Sequence, residues 1–184
     1  MIGNIEQKII DVISAAQFGY AFKKVESYKA NFDDELATLV KNSAPAVWVA
    51  FTGDSKTLLN DKPARKATFS VIVLTRNVRN ERTSRFGKVG EVGAYQIVQD
   101  ITALLDGSDL GLDIKPLEYL STTPLLNTKV SSFNSAVFEI SFETVFPIIT
   151  PENPVRLDDF IQLETTWEAP EITSQTNITY ERSL

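Results

Sequence analysis

Five basic side chains fall within one short stretch of this chain: Arg76, Arg79, Arg82, Arg85 and Lys88. The arginines recur at every third position, so an extended or loosely turned segment would present a row of guanidinium groups. The chemistry open to such a row is contact with a polyanion backbone, which needs only positive charge and reach. The same row can instead form salt bridges to acidic residues of a neighbouring subunit, such as Asp158, Asp159 and Glu164, or lie solvated. All three readings stay open. Gly87, Gly90 and Gly93 follow directly. Their G-x-x-G-x-x-G spacing matches neither the dinucleotide fingerprint nor the P-loop, and they are expected to act as hinges that let the basic segment move.

The carboxylates Glu139 and Glu143 share one face of a strand and invite a hydrolase reading. Four residues along a strand span about 13 Å, whereas glycosidase carboxyl pairs lie about 5–9.5 Å apart. A solvated strand face is the simpler account. The chain has no Cys and no His. Ser-His-Asp and Cys-His catalysis are thereby unavailable, as are the usual zinc, haem and iron–sulfur sites. No enzymatic activity, cofactor or metal is expected. Trp48 reads as core. Trp167, with Phe160 nearby, lies in a Pro-bounded segment poor in apolar residues and reads as an anchor for a partner's pocket.

These groups need elements to hold them. Ile2, Ile5, Ile9, Val12, Ile13 and Ala16 repeat at helical spacing, with Gly19 as a stop. Residues 20–30 read as a strand. Phe32, Leu36, Leu39 and Val40 form a short helix ended by Pro45. Ala46–Phe51 is a strand apolar on both faces, 53–62 a polar loop, and Ala67–Thr75 a second strand. After the basic segment, Val92, Tyr95, Val98, Ile101, Leu104 and Leu105 mark the inner stripe of a helix stopped by Gly107. Leu112–Leu120 reads as an edge strand, since Pro116 cannot donate to a ladder. Ala136–Phe146 alternates, with Phe138, Ile140, Phe142 and Phe146 on one side. One wet and one dry face imply antiparallel pairing. The fold class expected is α+β, a mostly antiparallel sheet with helices packed on one face.

The 184 residues carry a formal charge of −6. They suit a single core-bearing domain spanning 1–149 with an extended acidic C-terminal arm, 150–184, punctuated by Pro151, Pro154 and Pro170. A near-neutral body with an acidic tail is a polarity that suits assembly. No apolar run is long enough to span a bilayer, and Met1–Glu6 lacks the basic and apolar segments of a signal peptide. No membrane association is expected.

Several segments together carry a resemblance. They are Pro45–Gly53, then Phe69–Asn77 ahead of the basic segment, then Gly93-Ala94-Tyr95 opening a helix that ends Leu104–Gly107, then Leu110-Gly111-Leu112. In this arrangement the chain, over roughly 1–149, resembles the tail terminator proteins of Mu-like contractile-tail bacteriophages. The resemblance implies an α+β subunit of a homo-hexameric ring that caps the tail tube and stops its polymerisation. It implies tail tube, tail sheath and head-completion or neck (connector) proteins as partners. It places the protein at the head-proximal end of the virion tail, after assembly in the bacterial host cytoplasm. DNA passes through such a ring, so Arg76, Arg79, Arg82, Arg85 and Lys88 become candidates for non-specific contact with genomic DNA in the lumen, or for subunit contact. Rival readings are another neck, tail-completion or baseplate adaptor protein, a non-specific DNA-contacting protein, and a small carboxylate hydrolase.

Overall fold

The computed structural model describes residues 1–28, 43–76, 81–88, 91–125, 134–148, 166–169 and 172–175, and for residues 81, 166–169 and 172–175 the backbone alone. The chain divides into two compact units, Met1–Ile148 and Ile149–Leu184. In the first, the described elements are α1 (Ile2–Ala15), β1 (Lys24–Ser27), β2 (Ala46–Leu59), β3 (Lys62–Arg76), α2 (Glu81–Phe86), α3 (Ala94–Leu105), β4 (Glu118–Pro124) and β5 (Ser135–Pro147). The five strands form one sheet in the order β1-β2-β3-β5-β4. Only the β1–β2 pair is parallel; the other three pairings are antiparallel. The architecture is α+β, as the alternation in β5 indicates.

The helices pack where their apolar spacing directs them. In α1, Ile5, Ile9 and Ile13 recur every fourth residue and are buried. In α3 the buried stripe is Ala94, Ile97, Ile101 and Leu105. The α1 stripe, with Ile97, Ile101 and Leu105 of α3, meets Val47, Val49, Phe69, Val71, Val73, Ile140, Phe142 and Phe146 on one face of the sheet, forming the main core. Each fully buried Ile or Phe contributes roughly 1.5–3 kcal/mol, so this layer carries most of the stability. The stripe expected for α3 is rotated. Tyr95 is 38% exposed, because steps of three residues drift off the face that a 3.6-residue turn keeps inward. The opposite sheet face bears a smaller cluster of Ala46, Trp48, Ile72, Leu74 and Val137. Trp48 is core, as expected, and its indole donates to Glu26 Oε1 at 3.2 Å. Phe138 lies apart from both clusters, with Ala94 and Ala136.

Three boundaries differ from expectation. The polar loop expected at 53–62 is strand: β2 and β3 pair from Ala46↔Leu74 down to Leu59↔Lys62, with a bulge between Phe51 and Gly53. Asn60 and Asp61, with φ of 51° and 60°, make the two-residue connection. A hairpin turn that matches strand twist needs two left-handed residues, and Asn and Asp tolerate that conformation. Second, of the strand expected over 20–30, the described part is strand at Lys24–Ser27, and residues 29 and 30 lie outside the described residues. Ahead of it Phe18, Tyr20 and Phe22 turn their rings onto one another, 5.3–5.8 Å apart. Third, the edge strand expected at 112–120 begins at Glu118, although β4 is at the sheet edge. The helix expected around Phe32–Val40 falls outside the described residues.

In the second unit, β6 (Thr166–Ala169) and β7 (Ile172–Gln175) pair antiparallel.

Candidate functional site

The basic segment is built on the end of the central hairpin. Arg76 closes β3, and α2 packs back on the strand ends. Thr75 Oγ1 donates to the Ser84 carbonyl at 2.7 Å, and Ser84 Oγ donates to the Asn134 carbonyl. Ser84 is itself buried, so these hydroxyls satisfy buried acceptors that would otherwise lose water without replacement. Arg82 and Arg85 therefore sit three apart on a short helix rather than along an extended loop. Arg82 and Lys88 are exposed, whereas Arg76 and Arg85 are half-buried. Arg79 and Gly90 lie outside the described residues.

Lys88 is engaged locally. Its ammonium pairs with Glu91 at 2.9 Å, and the two backbones exchange hydrogen bonds of 2.9 Å each way. Gly87 and Gly93 are brought together by that reversal. A Cβ on Gly93 would lie 2.2 Å from the Gly87 nitrogen, and one on Gly87 would lie 2.7 Å from the Gly93 nitrogen. The hinge expected of these glycines concerns movement; what the structure shows at two of them is a need for space. Gly87 additionally has φ of +74°, a region L side chains rarely adopt.

Sequence spacing gave no sign of the aromatic path leading from this segment. The Arg82 guanidinium lies 5.6 Å from the Phe86 ring centre. Phe86 meets Tyr95 edge to face at 5.0 Å, and Tyr95 meets Phe138 at 5.4 Å. Phe86 is nevertheless 62% exposed, so an aromatic and a cation share the surface. Beneath the segment a cleft of about 350 Å³ is lined by Tyr20, Pro45, Thr75, Arg76, Ser84 and Glu91, among others. The Tyr20 hydroxyl donates to Asp100 Oδ2 at 2.9 Å. Burial first, and that carboxylate second, push its pKa well above the usual phenol range, so the hydroxyl stays a hydrogen-bond donor and does not serve as a base.

The two strand carboxylates have structural partners. Glu139 accepts from Ser70 Oγ, and Glu143 pairs with Lys66 Nζ at 2.7 Å. Phe160 lies outside the described residues, and for Trp167 the backbone alone is described, within β6.

A second surface lies on the far side of α3. A groove of about 450 Å³ runs between α3 and β4, lined by Val98, Gln99, Thr102, Ala103, Asp106, Tyr119 and Thr122. Tyr119 is 37% exposed there, and Leu120, next to it in β4, is 44% exposed. Sequence reasoning missed it because it had placed the edge strand several residues too early. Among the described residues, no helix is long and apolar enough to cross a membrane.

A comparison with curated proteins found no match to the chain. Residues 1–147, which end one position short of the first unit, match the family model described as Bacteriophage Mu, Gp37, and on that match the chain belongs to this family of bacteriophage proteins.

Proposed function

We propose that the protein is the tail terminator of a contractile-tail bacteriophage, a structural subunit that closes into a hexameric ring on the last layer of the tail tube. The observation that carries the reading is a pair of lateral strand edges in a member of a phage Mu family. β1 covers β2 only from Ala46 to Val49, so among the described residues the outer edge of β2 is uncovered from Ala50 to Leu59. β4 forms the other edge. A subunit with an exposed flank on each side is suited to head-to-tail association, which gives a ring when the rotation closes. In this role the protein has no catalytic duty. Its partners are further copies of itself, the tube and sheath proteins and a head-side connector, and it resides at the head-proximal end of the virion tail. Arg82, exposed beside Phe86, is the described residue best suited to touch DNA passing through the lumen, through charge and stacking on a backbone or base.

The test is the tail-length distribution, by negative-stain electron microscopy, of particles made without this protein. Over-long tubes of variable length, lacking heads, are expected. Tails of normal and uniform length would sink the reading and move the protein to the neck or baseplate.

A further inference from the structure

The hairpin tip and the α3–β4 groove are two exposed features that nothing within one copy brings together. β2 and β4 are separated by β3 and β5, about 14 Å of hydrogen-bonded sheet. The far end of the β2–β3 hairpin runs past β1 on one side and past β4 on the other, since β1 stops opposite Val49 and β4 begins opposite Glu143. There Leu58 is 62% exposed. It lies one pair from the turn, opposite Pro63, with Lys56 opposite Arg65 next along the same face. This face is continuous with the helix-bearing side of the sheet, because Ala67 and Phe69 continue the alternation into the main core. In this end of the hairpin Arg65 is paired with Asp54 and Lys66 with Glu143, and Lys56 and Lys62 against Asp61 leave it net positive.

The groove has the opposite character. Its lining includes Val98 and Tyr119, and its charged member is Asp106; Glu118 and Asp109 stand nearby in sequence and are exposed. Strand addition along β4 is hindered. The Tyr119 amide already donates to Asp106 Oδ1 at 2.9 Å, the ladder is bulged between Tyr119 and Ser121, and Pro124 has no amide hydrogen. Such features blunt an edge against backbone pairing. What remains open beside that edge is the groove, which takes side chains.

We infer that the β2–β3 hairpin of one copy docks in the α3–β4 groove of the next, with Leu58 between α3 and Tyr119 and Lys56 facing Asp106. The occupant is a second copy of this chain. An exposed leucine meets a groove whose apolar members are Val98, Ala103 and Tyr119, and a positive end meets Asp106, so apolar contact and charge select the same pairing. The two surfaces differ and lie on opposite flanks, so the contact is head to tail. This inference rests on the ring reading proposed above and supplies its interface.

The chain has no cysteine, which makes engineered cross-links free of background. The Leu58→Cys, Thr102→Cys double variant, folded by circular dichroism, is oxidised at high protein concentration and run on a non-reducing gel. A ladder of covalent oligomers ending in one closed species is expected. It should form at least about tenfold faster than in a Leu58→Cys, Lys8→Cys control, because docking raises the effective thiol concentration. Lys56→Glu should slow the cross-link, and adding Asp106→Lys should restore it. A pattern no different from the control, or a ladder without an end, overturns the inference. Over-long tails without the protein, combined with a failed cross-link, would remove this interface and leave the terminator reading standing. Normal tails with a closed ladder would do the reverse.

Discussion

Gly93 has no room for a methyl group. Its Cβ would lie within 2.2–2.5 Å of backbone atoms of Arg85, Phe86 and Gly87, and backbone cannot rotate away as a side chain can. Gly93→Ala should cost about 2–4 kcal/mol, lowering the melting temperature by roughly 5–15 °C in a thermal scan. Gly3→Ala is the contrast. It lies within α1 with nothing within 4 Å of an added Cβ, so it should gain up to about 1 kcal/mol from helix propensity. An equal response of the two variants would contradict the close approach of Gly93 to the backbone of residues 85–87. Residue types were visible in the sequence, but spacing alone gave no way to separate a glycine needed for motion from one needed for close approach. The same limit applied to the arginines. Their periodicity of three was legible, and the burial of Arg76 and Arg85 was not, because it depends on where α2 folds back.

At the scale of elements, α1, the two central strands and β5 were readable because each carries an uninterrupted apolar period. The outer half of the hairpin was not. From Asp54 to Pro63 most residues are exposed, so no apolar alternation marks it as strand. The usable signal was the Asn60-Asp61 pair, two residues tolerant of left-handed backbone between two extended runs. Across this hairpin Asp54 accepts from Arg65, and that hydrogen bond holds the Asp54 carboxyl below its usual range. Glycine is better than aspartate in the second turn position. Asp61→Gly should therefore stabilise the hairpin by about 0.5–1 kcal/mol, read as slower amide exchange over residues 55–66. Faster exchange would mean that the Asp61 side chain itself secures the turn.

For the whole molecule, the resemblance read from segment order identified a Mu-like phage protein, and the family match over residues 1–147 agrees at that level. Oligomeric state and partners were not legible in a single chain, since an interface is written on two copies at once. The first unit contains the main core and both candidate surfaces within Met1–Ile148. A chain ending at Ile148 should therefore keep its circular dichroism spectrum and melt cooperatively, within about 1 kcal/mol of the full chain, as expected of a unit that folds on its own core. An insoluble or unfolded product would show that residues 149–184 complete the core.

β3 is the middle strand, paired along its length with β2 on one side and β5 on the other. Its two neighbours are not made together. The hairpin is finished at Arg76, whereas β5 ends only at Pro147. A ribosome adding about 5–20 residues per second needs roughly 4–14 s for the intervening chain. Through that interval a strand that is buried continuously from Phe69 to Thr75 in the finished fold has an open flank, and nascent chains on one messenger sit close together. Mispairing between them is a hazard of translation rather than of the finished fold, and slower initiation, which spaces the ribosomes, is the natural remedy.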